Sequence, residues 1–69
     1  MTLGQRISLY RKKLNISQEE LGARLGVSRQ AVSKWETGTA DPSTSNLLAL
    51  AKLFGVSAEE LLRSVEKAR

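Results

Sequence analysis

One stretch of twenty residues in this 69-residue chain limits its possible folds more than any other feature. Residues 18–37 read QEELGARLGVSRQAVSKWET and predict two short helices joined by a turn that contains glycine. Their apolar positions lie at helical spacing: Leu21 and Leu25 in the first helix, Val32 and Trp35 in the second. Gly22 lies inside the first helix, where glycine costs about 1 kcal/mol relative to alanine. A plain helical hairpin does not need that glycine, so we expect a more specific arrangement of the two helices.

Start signals elsewhere in the sequence predict three further short helices. A hydroxyl residue precedes each of the five helices as a cap; in chain order these are Thr2, Ser17, Ser28, Ser43 and Ser57. Ser17 and Ser57 are each followed three residues later by a glutamate, Glu20 and Glu60, which is the spacing of a capping box. Apolar residues at helical spacing in the other three helices are Leu3, Ile7, Tyr10, Leu14, Leu47, Leu50, Ala51, Phe54, Leu61, Leu62 and Val65. No segment has strand periodicity, so we expect an all-α fold of five helices in one domain spanning residues 1–69.

The composition of the chain argues against several classes of function. The chain has no cysteine and no histidine, so we expect no disulfide, no metal site and no histidine base. Adjacent acids in a helix point about 100° apart, so the pairs Glu19–Glu20 and Glu59–Glu60 do not converge on a substrate. No apolar run approaches the ~18 residues of a membrane span. We therefore expect a soluble, cytoplasmic protein that is not an enzyme, with no cofactor, no membrane contact and no evident small-molecule ligand.

The net positive charge of the chain comes from one part of it. Residues 1–40 contain seven basic and three acidic residues, whereas residues 41–69 contain four of each. The whole net charge of +4 thus lies in the part that contains the glycine turn. A polyanionic partner explains this asymmetry, although a net charge of this size is also ordinary for solubility.

The second helix of the pair, near residues 29–37, separates its apolar and polar side chains. With Arg29 at zero and about 100° per residue, one face between roughly 200° and 300° is apolar. Its members are Ala31, Val32 and Trp35, and Trp35 is interpreted as a core residue. The opposite face carries guanidinium, amide, hydroxyl and ammonium groups, which can match base edges in the major groove of DNA. A helix-turn-helix places its second helix in that groove. We predict base contacts from Arg29, Gln30, Ser33 and Lys34.

Phosphate contacts are predicted at the two ends of this helix pair. Gln18 lies in the first turn of its helix, where free N–H groups and the helix dipole favour a phosphate. Its amide could contact the DNA backbone or brace Gln30. Thr37, Gly38 and Thr39 could offer backbone N–H and hydroxyl groups to another phosphate, although Gly38 also fits a helix stop.

These motifs resemble the Xre/Cro, lambda-repressor-like family of DNA-binding domains. The resemblance rests on ISQEELGARLGVSRQAVSKWETG, on the loop ending in Pro42 and on NLLALAKLFGVSAEELL, and it covers nearly the whole chain. It implies a compact five-helix domain that binds palindromic double-stranded operator DNA as a homodimer and regulates transcription, most often as a repressor. It also places Gln18 at a phosphate and the four predicted base-reading residues at base edges.

The resemblance adds one internal pair and one departure. It supports Arg11 as an internal partner of Glu36, which lies beside the apolar face of the second helix. The loop before Pro42 has Ala40 and Asp41 where the family often has basic residues, so phosphate contacts there are not expected. Candidate dimer contacts lie at residues 54–58 and on the fifth helix. Two other functions stay open, namely an antitoxin-like or adaptor interaction module and the DNA-binding head of a larger sensor protein.

Overall fold

Five α-helices make up the fold in a computed structural model that describes the backbone of residues 1–66 and the side chains of residues 1–63. The helices are α1 (Leu3–Lys13), α2 (Gln18–Leu25), α3 (Arg29–Thr37), α4 (Thr44–Phe54) and α5 (Ala58–Glu66). No strand occurs within residues 1–66. The predicted all-α class is therefore confirmed, and α3 has the bounds that the sequence indicated.

Each helix begins at the hydroxyl cap that the sequence predicts. The side-chain oxygens of Thr2, Ser17, Ser28, Ser43 and Ser57 each accept a hydrogen bond from the backbone N–H three residues later, at 3.0–3.2 Å. These bonds satisfy N–H groups that have no partner within the helix. Because a cap depends on residues that adjoin it in the sequence, local patterning is sufficient to locate all five starts.

The two predicted capping boxes are only half formed. The Glu20 carboxylate accepts from Arg24 at 2.9 Å rather than from the cap, and Glu60 pairs with arginines on α1 and α5. The reciprocal arrangement occurs instead at α1, where the Thr2 N–H donates to Gln5 Oε1 at 2.9 Å. An ion pair holds a glutamate more strongly than a backbone amide does, so the carboxylates turn toward the arginines.

The core lies where the five helices meet. Every helix contributes one branched side chain with no exposed surface, and these are Ile7, Leu21, Val32, Leu50 and Leu61. Burial of each such side chain stabilises the fold by about 1.5–3 kcal/mol. Leu14 does not follow the predicted pattern: it caps the end of α1 and is 43% exposed. Val65, predicted at an apolar position, lies outside the residues whose side chains are described.

Two glycines let helices approach closely. A Cβ at Gly22 would lie 2.6 Å from the carbonyl oxygen of Val27, which explains the glycine inside α2. A Cβ at Gly4 would collide with the carbonyl oxygens of Trp35 and Glu36, so α1 is pressed against the end of α3. The sequence analysis singled out only Gly22, because the contact of Gly4 is with residues more than thirty positions away. Together the two contacts fix α3 against α1 and α2.

Candidate nucleic-acid interface

The turn between α2 and α3 sets the direction of the second helix. Gly26 ends α2 in the left-handed conformation, with φ 76°, and the Val27 N–H donates to the Gly22 carbonyl at 2.8 Å. Ser28 then caps α3. Val32 and Trp35, at 0% and 6% exposure, hold the apolar face of α3 in the core. The opposite face is therefore turned to solvent.

The four residues predicted to contact bases lie on this outward face. Arg29, Gln30 and Lys34 are exposed, and Ser33 is half-buried. Among the described residues, none of these four side chains makes a hydrogen bond or an ion pair with another residue. Their donors and acceptors are therefore available to a ligand.

The cations on α3 differ from most of the arginines elsewhere. Arg6, Arg11 and Arg24 each pair with a glutamate, at 3.6, 2.6 and 2.9 Å. In the described part of the chain, Arg29 and Lys34 have no such partner. The unbalanced positive charge of the first forty residues thus lies partly on the outward face of α3, where it favours a polyanion.

Gln18 does not brace Gln30, which corrects one of the two roles that the sequence allowed. Its Nε2 donates to Glu36 Oε1 at 3.0 Å. A carboxylate accepts more strongly than a neutral amide, and the packing of α2 on α3 brings Glu36 within reach. The N–H groups of Gln18 and Glu19, in the first turn of α2, have no acceptor within the described residues. The position therefore keeps the donors that a phosphate requires.

The predicted Arg11–Glu36 pair is present. Arg11 Nε donates to Glu36 Oε2 at 2.6 Å, and Arg11 Nη2 donates to Glu36 Oε1 at 3.2 Å. Only 12% of the arginine side chain and 8% of the glutamate side chain are exposed. Arg11 Nη1 also donates to the Ile16 carbonyl at 2.9 Å. The network thus ties α1, the segment before α2, and α3 together.

The end of α3 uses backbone donors that were predicted to be free. Gly38 has φ 84°, and its N–H donates to the Trp35 carbonyl at 3.3 Å. The Thr39 N–H donates to the Lys34 carbonyl at 2.9 Å. These bonds cap the helix in the usual glycine arrangement, so Gly38 is the helix stop that the sequence also allowed, and both N–H groups already have an acceptor. The hydroxyls of Thr37 and Thr39 lie 3.0 Å apart at exposed positions.

Within the described residues, no helix combines the length and the apolar character needed to cross a membrane. In the same part of the chain, no group of three or more acidic side chains is arranged to hold a metal ion.

Sequence reasoning missed one contact at this interface, namely the bond from Gln18 to Glu36. The helical wheel places Glu36 beside the apolar face of α3, where neighbouring helices come within reach. That placement was a usable signal, because a carboxylate that is largely buried needs donors for its oxygens. The sequence alone supplied Arg11 as one partner and left the other unassigned.

Comparison with known proteins finds a family model and relatives that this chain resembles. The helix-turn-helix family model HTH_3 matches residues 7–61. The chain is 46% identical over 61 residues to repressor protein C2 of Salmonella phage P22, which covers 88% of this chain and 28% of that protein. It is 38% identical over 66 residues to the transcriptional activator BcrR of Enterococcus faecalis, which covers 96% of this chain and 32% of that protein.

A solved structure extends the comparison to three dimensions. The P22 c2 repressor in complex with synthetic operator 9T superposes with a TM-score of 0.84 at 44% identity, covering 88% of this chain and 92% of that chain. Since the two curated relatives are much longer, the chain spans about a third of their length or less.

Proposed function

The chain belongs to the helix-turn-helix family HTH_3, and on that premise we propose that it binds double-stranded DNA sequence-specifically and regulates transcription. The observation that carries the proposal is the outward face of α3, where four polar or basic side chains lack partners among the described residues. Both curated relatives are named as transcription regulators or repressors, and the c2 repressor structure contains operator DNA. These relatives support DNA binding and transcription regulation as the function.

The proposed reading uses the first two turns of α3. Arg29 can donate two hydrogen bonds to guanine O6 and N7. Gln30 can contact adenine through one bond of each kind, because its Oε1 accepts from N6 and its Nε2 donates to N7. Ser33 and Lys34 lie one turn later on the same face. The rise from Arg29 to Lys34 is about 7.5 Å, which corresponds to roughly two base-pair steps. The four side chains therefore cover adjacent bases in one half-site.

Phosphate contacts on either side of the groove would fix the register. Gln18, at the start of α2, offers its amide together with the free N–H groups of the first turn. At the end of α3, Thr37 and Thr39 offer hydroxyls. Gly38 would contribute only if its 3.3 Å bond to the Trp35 carbonyl gave way. Such contacts add affinity without reading sequence.

We also propose that two copies bind a palindromic operator as a homodimer, at least on DNA. Half-sites one helical turn apart place the recognition helices about 34 Å apart. The Cα positions of the chain extend over 33 × 24 × 21 Å, so two copies at that spacing would lie side by side. The contacts between them are assigned to residues 54–58 and to α5. The whole of residues 1–69 acts here as one DNA-binding domain.

Three further points belong to the same proposal. The protein acts as a repressor by occupying its operator, and the outward face of α3 supplies binding groups rather than a catalytic site. The proposal therefore includes no enzymatic activity and no cofactor. Its compartment is the cytoplasm, by analogy with the relatives from a bacterium and a bacterial phage, whose operator DNA lies there.

The test is selection of the protein against a random duplex library, repeated at two salt concentrations. We expect an enriched palindrome with half-sites about one helical turn apart, and binding that weakens steeply with salt. A reporter placed behind the enriched sequence then measures the sign of regulation. Binding without any enriched sequence would contradict sequence-specific recognition, and no binding at low salt would contradict the DNA-binding function itself.

A further inference from the structure

The side-chain amide of Gln18 donates a hydrogen bond to the Glu36 carboxylate, which also accepts from Arg11. The amide nitrogen lies 3.0 Å from Glu36 Oε1, and Arg11 contacts both oxygens of the same carboxylate. Resting on the proposed DNA-binding function, we propose that Glu36 is a positioning residue: it fixes the Gln18 amide in the orientation in which that amide contacts a DNA phosphate.

The chemistry of the two groups determines the orientation. An amide has a donor end and an acceptor end, whereas an ionised carboxylate only accepts. Glu36 therefore selects the nitrogen of Gln18, since the reversed amide would set two acceptor oxygens against each other. One of the two Nε2 hydrogens is used in this bond, and the second stays available for a phosphate oxygen. A glutamine held in this way loses less side-chain freedom on binding than a free one.

Arg11 offsets the negative charge that Glu36 would otherwise present next to the DNA backbone. An isolated carboxylate beside the DNA backbone would repel a phosphate, but the two bonds from Arg11 balance its charge. Arg11 also holds the Ile16 carbonyl at 2.9 Å, just before the cap of α2. The position of the Gln18 backbone and the orientation of its side chain are thus set by the same network.

A double-mutant cycle tests the proposal with a mixed-sequence duplex of about 24 base pairs, a little over two helical turns, at low salt. Gln18→Ala is expected to weaken binding by about fivefold, the value of one hydrogen bond, and Glu36→Leu by a similar factor. Because Glu36 acts through Gln18, the double variant should bind no more than about twofold more weakly than either single variant. Losses that multiply would overturn the proposal.

Two further variants test the proposal. Glu36→Gln keeps one acceptor oxygen, which the Arg11 guanidinium takes, and turns an amide nitrogen toward Gln18, so it should bind about as weakly as Glu36→Leu. Binding within about twofold of wild type would show that no acceptor is needed opposite the Gln18 amide and would overturn the proposal. Glu20→Gln makes the same charge change at the exposed pair with Arg24, and we expect no loss of affinity. A loss of affinity in Glu20→Gln would show that removing an acid weakens binding even away from Gln18, which would also overturn the proposal.

A measurement on the wild-type protein keeps the proposal testable if Glu36→Leu fails to fold. In the free protein, the side-chain amide protons of Gln18 should exchange with water more slowly than those of Gln30, which has no partner among the described residues. Equal exchange rates would contradict the positioning role. Failure of the wild-type chain to bind the duplex would instead contradict the proposed function, so the two outcomes are distinguishable.

Discussion

The chain makes the same glycine–valine–serine junction twice, between α2 and α3 and between α4 and α5. Gly26 and Gly55 have nearly equal dihedral angles, with φ 76° and 75° and ψ 28° and 29°. The valine N–H of each junction donates back to the preceding helix, at 2.8 Å for Val27 and 2.9 Å for Val56. The serine of each junction caps the next helix. The geometry of the turn therefore follows from the three residues themselves.

The residues that follow the serines make the two junctions different. Arg29 and Gln30 open α3, whereas Ala58 and Glu59 open α5. Glu60, one residue later, pairs with arginines of α1 and α5 at 3.6 and 3.3 Å. One junction therefore presents unpaired polar groups to solvent, and the other directs charge into contacts within the protein. The two junctions therefore differ in the residues after the cap, not in the turn.

The residues four positions before the glycines also differ. Gly22 occupies this position in α2, and Ala51 occupies it in α4. A Cβ at Gly22 would lie 2.6 Å from the Val27 carbonyl oxygen, while Ala51 carries its Cβ in the core. The chain after the first junction thus passes closer to its preceding helix than the chain after the second. The glycine in α2 therefore permits a contact at the first junction that a side chain there would block.

The largest expected effect comes from giving the first junction the residues of the second. The double substitution Arg29→Ala with Gln30→Glu should lower affinity for the selected duplex by at least about a hundredfold, because it removes two bidentate base contacts and adds an acid. Fluorescence anisotropy measures the affinity, and circular dichroism should show an unchanged helix content.

Lys52→Glu is the matched control for this exchange. It changes the net charge by the same two units at an exposed position on α4, three residues before the second junction. We expect a loss of no more than about tenfold, since only the overall charge changes. Equal losses from the two proteins would mean that α3 is not the reading helix.

A smaller effect is expected from Gly22→Ala, which gives α2 the residue found in α4. The added Cβ should destabilise the fold by about 1–3 kcal/mol, because the Val27 carbonyl must move. Helix propensity alone would instead stabilise the fold by about 1 kcal/mol. The sign of the change in the free energy of unfolding therefore shows whether the collision or the propensity is larger. Urea denaturation measures this change. A variant at least as stable as wild type would refute the close passage at the first junction.

The smallest effect is expected where the junctions are alike. Ser28→Ala and Ser57→Ala should each lower the free energy of unfolding by about 1 kcal/mol, because each removes one cap. Ser45→Ala, at an exposed helical position without a side-chain hydrogen bond among the described residues, should change stability by less than about 0.5 kcal/mol. Clearly unequal losses of unfolding free energy from the two cap variants would contradict the view that the two junctions are equivalent.

Local patterns predicted much of this molecule. The caps, the bounds of α3 and the outward placement of Arg29, Gln30 and Lys34 all follow from periodicity and turn chemistry. The Arg11–Glu36 pair was also anticipated, from the position of Glu36 beside the apolar face of α3 and with the support of the family resemblance. The roles of the outward residues in binding DNA stay predictions.

The sequence predicted partners less well where a group has more than one partner within reach. Gln18 contacts Glu36 rather than Gln30, and the glutamates at the expected capping boxes pair with arginines instead. The N–H groups of Gly38 and Thr39 donate to carbonyls at the end of α3. Only the contact of Gln18 with Glu36 joins residues far apart in the sequence, and it depends on how α2 packs against α3.

The sequence by itself determined where the helices begin, which face of α3 is polar and where the net positive charge lies, since these depend on neighbouring residues. Only the tertiary structure decided how closely α1 and α2 approach α3, and which group holds the Gln18 amide. Those features depend on Gly4, Gly22 and Glu36 meeting atoms of other segments. Such contacts exist only after the five helices have packed around one core.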